Sequence, residues 1–329
     1  MTRIPHALGR RSLAALGAAL AVPSLAQAQP AWPDRPVRFI VPFPAGSTPD
    51  IVARAVAAHF TTVFGQPFVV DNRSGAGGNI GTDAIAKATD GHVIGISINS
   101  PLAVAPALYP NLPYDPRRDL VPISVLVRSP QLLVVNPKVP ATDLAGFATY
   151  AKANPGKMTY ASVGLGSGSH LAMEDFMART GISMEHAAYR GFAPALLDLV
   201  AGRIEAMFAA AGAVLEQVRA DHARALAVTS DARIPTAPEV PTLAEVGLPG
   251  AASYGWVALV APSATPEDRI ARLATEAQTA LADARTKATL EATGFEIVAS
   301  TPAEAATFIA TEADRWGGLV QRLGIRLDG

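Results

Sequence analysis

Short apolar runs rich in β-branched residues alternate with longer segments of helical periodicity, and this order constrains the chain more than any other feature. Val37-Arg38-Phe39-Ile40-Val41 reads as a buried strand, after which Ile51, Val52, Ala55, Val56, Phe60, Val63 and Phe64 recur at helical spacing until Gly65. Phe68-Val69-Val70 is the next strand, a helix is expected over 83–88, and Val93–Ile98 is a third strand. The same order restarts at Leu132-Leu133-Val134-Val135. It continues through Thr159-Tyr160-Ala161, a helix over about 170–179 stopped by Gly181, and strand-like runs at 186–189, 206–209 and 225–229. Beyond the proline-rich stretch 235–249 come Trp256-Val257-Ala258-Leu259-Val260 and two long helical segments, 266–292 and 302–323, around a strand at 295–298. Thr265-Pro266 and Thr301-Pro302 each have the form of an N-cap followed by proline. Strand–helix alternation of this kind predicts α/β units with largely parallel sheets.

The first 28 residues stand apart from that pattern. Arg3, Arg10 and Arg11 make a basic start, residues 12–22 are small and apolar, and Ala26-Gln27-Ala28 has the A-x-A form that a signal peptidase accepts. The apolar run is about half the ~20 residues that a bilayer-spanning helix needs. A cleaved export signal over 1–28 is therefore expected, and Arg10-Arg11 leaves the general and twin-arginine routes both open. Its loss lowers Lys plus Arg from 27 to 24 against 28 acidic groups, for a charge of −4. Such a balance, without a Lys/Arg stripe, argues against nucleic acid as a partner. The absence of cysteine excludes thiol catalysis, disulfides and thiolate metal sites together. At 329 residues, 50% of them hydrophobic, the chain is long enough for two cored domains.

Three segments share one layout, a strand, a Gly/Ser/Thr loop and a helix start. They are Pro42-Phe43-Pro44-Ala45-Gly46-Ser47-Thr48-Pro49-Asp50, Ser74-Gly75-Ala76-Gly77-Gly78-Asn79-Ile80-Gly81, and Ser162-Val163-Gly164-Leu165-Gly166-Ser167-Gly168-Ser169-His170. In the first, Thr48 reads as the N-cap and Pro49 as the first helical residue. A helix start presents unpaired N–H groups and the positive end of the helix dipole, glycine lets a ligand approach, and hydroxyls add donors. Together they can hold an anion without lysine or arginine. Glycine in a single βα turn needs only a backbone reason; three such loops, two in the first half and one in the second, favour a binding cleft.

Other chemistries find less support. Gly75, Gly77, Gly78 and Gly81 miss the dinucleotide spacing and follow the second strand, not the first. There is no G-x-x-x-x-G-K-[ST] and no G-x-S-x-G. Ser167 and His170 could mimic a hydrolase dyad, though residues three apart at a helix start are commonly a cap and an exposed ring. His170 and Glu174 share a helix face with no second histidine to complete a metal site. No cofactor and no metal are expected.

Many segments in order resemble the Bug-type periplasmic substrate-binding proteins of tripartite tricarboxylate transporters. They include Trp32-Pro33-Asp34-Arg35-Pro36-Val37, Asp50-Ile51-Val52-Ala53-Arg54, Gly65-Gln66-Pro67-Phe68-Val69-Val70-Asp71-Asn72-Arg73, the second and third loops, Tyr189-Arg190-Gly191, and Pro241-Thr242-Leu243-Ala244-Glu245-Val246-Gly247. The resemblance implies an α/β, two-domain periplasmic-binding-protein clamshell of type II-like form, each domain a mostly parallel sheet flanked by helices. Residues 29–125 plus 253–329 would form domain one and 126–252 domain two. It further implies a monomeric periplasmic receptor, not an enzyme, that captures a small carboxylate and hands it to the large and small membrane subunits of a transporter. A membrane sensor as partner, or an exported esterase using Ser167 and His170, are the alternatives. Carried over residue by residue, the site comprises Phe43, Ala45, Ser47, Thr48 and Asp50 from the first loop, Asn79 from the second, and Asn99 or Ser100 after the third strand. Ser162, Gly166, Ser167 and His170 come from the other domain, with Arg190 at the edge. Asp50 would repel an anion placed on it, so it is expected to bind amides of its own loop, or an ammonium or water. The family often has glycine where Ser47 stands and an Asp after Phe208 where this chain has Ala209; the second departure suggests a less polar or differently substituted ligand.

Overall fold

The computed structural model describes residues 32–325, so the expected export signal lies outside the described residues. The first half runs β1 (Val37–Val41), α1 (Thr48–Phe64), β2 (Phe68–Asn72), α2 (Asn79–Ala86) and β3 (Val93–Ile98), then the short helices α3 (Ala105–Leu108) and α4 (Pro116–Asp119). A long strand, β4 (Leu120–Val135), leads into the second half. There follow α5 (Leu144–Ala153), β5 (Thr159–Ser162), α6 (Gly168–Thr180), β6 (Glu185–Ala188), α7 (Phe192–Ala201), β7 (Ala206–Ala210), α8 (Ala211–Arg219) and β8 (Arg224–Val228). The chain returns through β9 (Tyr254–Pro262) to α9 (Glu267–Ala282), α10 (Ala284–Ala292), β10 (Glu296–Ile297) and α11 (Pro302–Leu323).

Each half keeps a parallel set of three strands, β2-β1-β3 in one and β7-β5-β6 in the other, built from βα units. The strands that pass between the halves join antiparallel. Thus β9 lies between β3 and the first part of β4, and the last part of β4 lies between β7 and β8. β4 changes partners between Pro130, opposite Tyr254 of β9, and Gln131, opposite Ala210 of β7.

Both faces of both sheet parts are covered, which explains the near-continuous apolar runs in the central strands. In β9, Val257, Leu259 and Ala261 pack under α1 and α9, while Trp256, Ala258 and Val260 face the cluster with α11. Helix α1 buries Val52, Val56, Phe60 and Phe64 on one stripe, and Phe60 stacks on Phe39 at 6.4 Å and meets Phe68 edge-on at 5.1 Å. Helix α11 starts with the expected Thr301 cap, completed by Glu304 into a capping box, and is tied to β9 by Glu312, whose Oε2 accepts both the Trp256 and Trp316 indole N–H. In the second half, Leu133, Phe147, Tyr160, Phe176 and Phe208 fill one face, with Leu132, Val134, Leu199 and Met207 on the other.

Three local expectations shift. Ser47, not Thr48, is the N-cap of α1, which puts Pro49 at the second helical position. Pro266 itself occupies the N-cap position before α9. The helix expected over 266–292 breaks at Asp283, whose side chain accepts the Thr286 N–H and starts α10.

The halves also meet at α8 and the turn after α10. A Cβ on Gly212 would lie 2.4 Å from the Thr293 carbonyl oxygen. Gly212→Ala is therefore expected to lower stability by about 1–3 kcal/mol. Gly317 in α11 has room for a Cβ, 3.8 Å from that of Ala107, so Gly317→Ala should raise stability by about 0.5–1 kcal/mol. Urea unfolding of both variants checks the opposite signs.

Candidate functional site

The loop before α1 is held from inside by Asp50, which is 2% exposed. Its Oδ2 accepts the Gly46 N–H and the Arg54 Nε–H, both at 2.8 Å, and its Oδ1 accepts the Asn72 amide at 2.9 Å. Burial alone would push this carboxyl's pKa up, but the Arg54, Asn72 and Gly46 hydrogen bonds and the Arg54 charge outweigh it and hold the pKa below the usual carboxylate range. The bracing role expected for Asp50 is what the geometry shows, and both of its oxygens are engaged. Around it, Ala45 and Thr48 are exposed and Phe43 and Ser47 are partly buried. The Ser47 Oγ is shielded yet has no hydrogen-bond partner among the described residues.

Loop two packs onto this loop. A Cβ on Gly78 would lie 3.0 Å from both Phe43 Cζ and Pro101 Cγ, and one on Gly77 would lie 4.0 Å from Ser100 Oγ. Phe43, Ser100 and the second loop are thus brought together. Asn79 is buried at the start of α2, with the Tyr114 hydroxyl 2.8 Å from its Oδ1.

Loop three belongs to the second half. Ser167 caps α6, its Oγ accepting the His170 N–H at 3.3 Å and donating to the Gly164 carbonyl at 2.6 Å. Gly168 and Ser169, the next two residues, have N–H groups with no acceptor among the described residues. A Cβ on Gly168 would lie 3.0 Å from Asn99 Nδ2 and 3.2 Å from Gln131 Nε2, so the first residue of α6 lies against side chains from the end of β3 and from the crossing strand β4. Gly166 approaches Leu108 of α3, and Leu171 packs with Leu102, Val104 and Leu108 of the first half.

Ser162 and His170 point into the lobe. Ser162 is fully buried, its Oγ within hydrogen-bond distance of the Gly164 N–H and carbonyl at 3.1 Å and of His186 Nε2 at 2.7 Å. His170 is 3% exposed and its Nδ1 accepts the Gly166 N–H at 3.2 Å, which leaves the ring proton on Nε2 toward Glu174 Oε1 at 3.8 Å. The ring lies 4.4 Å from that of His186 and stacks on Tyr160, whose hydroxyl donates to Glu174 at 2.5 Å. Burial first, and His186 second, push the His170 pKa down to about 4; burial also lowers that of His186 and raises that of Tyr160. These groups shape the third loop from beneath. The imidazole of His170 makes no bond to Ser167 Oγ, so the Ser167–His170 dyad is not assembled. Arg190 is exposed beside Gly191, before α7. Ala209 is fully buried among Leu132, Val134 and Met207; its side chain points into apolar core and not toward a ligand.

Sequence reasoning missed Gln131 and His186. A glutamine just before an apolar strand reads as a strand end, and a scattered histidine reads as surface. Only the pairing of β4 with β7, and of β5 with β6, brings them beneath the third loop.

A family model described as the tripartite tricarboxylate transporter family receptor matches residues 52–325. The chain is also 40% identical over 321 residues to protein BugT of Bordetella pertussis, covering 96% of this chain and 98% of that one. It belongs to this receptor family. The family's periplasmic binding proteins include solved structures that superpose closely on this chain. One from R. palustris, Rpa4515 with adipate, is 34% identical with a TM-score of 0.80, covering 90% of this chain and all (100%) of that one. MatC from Rhodopseudomonas palustris, with bound malate, is 30% identical with a TM-score of 0.77, covering 88% and 99%. The expected clamshell architecture is that of the family. Among the described residues no helix is long and apolar enough to cross a membrane.

Two acid-stability predictions follow from the braces. The His170 pKa is lower in the folded chain than the ~6.5 of an unfolded one, so its contribution is complete above that value and is lost as pH falls toward about 4. Urea unfolding between pH 7 and 4 should lose stability less steeply in His170→Gln than in the parent chain. The Asp50 contribution is present above the usual carboxylate value and lost below it. Asp50→Asn should cost about 1–3 kcal/mol at pH 7 and flatten the acid limb below about pH 4.

Proposed function

We propose that this chain is an exported periplasmic receptor that captures a small carboxylate between its two lobes and delivers it to the membrane subunits of a tripartite tricarboxylate-type transporter. The lobes are 29–125 with 253–329, and 126–252; residues 1–28 are the export signal, and the receptor acts as a monomer. The observation that carries the reading is the convergence on Gly168, the first residue of α6, against which the Asn99 and Gln131 carboxamide nitrogens lie beside the open N–H groups of the helix start. Those groups are donors, and no lysine or arginine is needed to complete the pocket. Ser47 Oγ and the start of α1 supply a second set of donors for a far carboxylate or a bridging water. Phe43, Ser100 and Asn79 form the wall beside them, and Arg190 stands at the rim. The adipate and malate in the two R. palustris structures are of the same ligand chemistry. A carboxylate bridging Asn99 and α6 touches both lobes at once. It therefore binds the closed form more tightly than the open one, and only that difference in affinity drives closure.

Thermal unfolding in the presence of mono- and dicarboxylates tests this. A ligand at 100 times its Kd should stabilise the protein by about 2.7 kcal/mol, and Asn99→Ala should reduce the shift without altering the melting of the free protein by a comparable amount. If no acid in a broad panel raises the melting temperature, the carboxylate reading fails.

A further inference from the structure

Gln131 lies where β4 leaves one sheet part and enters the other, and its backbone is fixed there. Its N–H donates to Thr229 Oγ1 and its carbonyl accepts the Thr229 N–H, both at 2.9 Å, while the Thr229 hydroxyl donates to the Ser253 carbonyl at 2.5 Å. Both passages of the chain between the halves are thus tied together at this residue. Its side chain is held just as closely, at 5% exposure, yet the carboxamide makes no hydrogen bond to any described residue and Oε1 is shielded without a partner. A buried polar group in that state costs about 1–3 kcal/mol, and proteins seldom keep one that nothing satisfies.

Its position defines what would satisfy it. Nε2 faces Gly168 at the start of α6 beside Asn99 Nδ2, so it belongs to the donor set that suits a carboxylate. Oε1 is an acceptor on the same planar group. A carboxylate oxygen on Nε2 brings the neighbouring carbon of the ligand toward Oε1, and only a hydrogen-bond donor on that carbon pairs with it. A cationic donor would call for a carboxylate partner, but both oxygens of Asp50, the buried carboxylate of the first loop, are taken by Gly46, Arg54 and Asn72. A neutral hydroxyl fits.

We infer that Gln131 sets the specificity of the cleft, its carboxamide pairing with a carboxylate and the hydroxyl on the adjacent carbon, so that the receptor selects 2-hydroxy acids over their deoxy counterparts. This rests on the carboxylate reading above and names the ligand class within it. A deoxy acid would enter the same donor set but leave Oε1 unpaired, and sites built to bond a hydroxyl discriminate strongly against ligands that lack one.

Calorimetric titration of the mature chain with three pairs, malate and succinate, lactate and propionate, 2-hydroxyadipate and adipate, tests the assignment without any variant. At least one pair should bind, with the hydroxy acid about tenfold or more the tighter. Gln131→Met, close in volume, should bring the two members of that pair within about twofold by weakening the hydroxy acid more than its deoxy counterpart, its melting temperature reporting that the fold is kept. Equal binding within every pair by the parent chain, or an unchanged preference in Gln131→Met, overturns the role of Gln131 and leaves the carboxylate reading standing. Binding of none of the six acids overturns both.

Discussion

The structure depends on backbone amides that the protein leaves open at the start of α6 and then prevents from collapsing. The first N–H groups of a helix have no intrahelical acceptor and are met by capping side chains, tightened turns, water or ligands. Ser167 takes the third amide, His170 pins the Gly166 N–H from below, and Ser162 and His186 fix the turn at Gly164. What remains is a pair of donors at the positive end of a 13-residue helix, whose first residue, Gly168, lies against the carboxamides of Asn99 and Gln131.

That arrangement explains why the second lobe buries ionisable groups it does not need for its core. Tyr160, Glu174, His170 and His186 form one network behind the third loop. An apolar core could fill the same volume but could not accept the Gly166 N–H. In the first lobe Asp50 has the corresponding task, with Arg54 and Asn72 completing its shell. The charges nearest these loops are thus used inside the loops, which leaves neutral dipoles at the start of α6.

Much of this was legible in the sequence because both faces of the central strands are buried, and buried strands read as apolar runs. The expected β1 and β3 match the observed bounds, and the Gly181 stop and the Thr301 cap stand where the residues place them. Strand β4 was seen only in its last part, because Pro122, Arg128 and Pro130 interrupt it. Both prolines lie where its pairing shifts or changes partners, which is where a strand tolerates them. Side-chain direction was the harder matter. Ser162 and His170 belong to the right loop but point beneath it, and Ala209 follows a strand face into the core. Gln131 stayed hidden because its significance lies in which strand crosses beside it, and no local pattern records that.

The most direct measurement is a crystal structure of the receptor with a bound hydroxy acid such as malate. The account predicts one carboxylate on the Gly168 and Ser169 N–H groups and Asn99 Nδ2, the hydroxyl on Gln131 Oε1, and no lysine or arginine in contact with that carboxylate. A ligand held by Arg190 or another basic side chain, with the start of α6 bare, would contradict it.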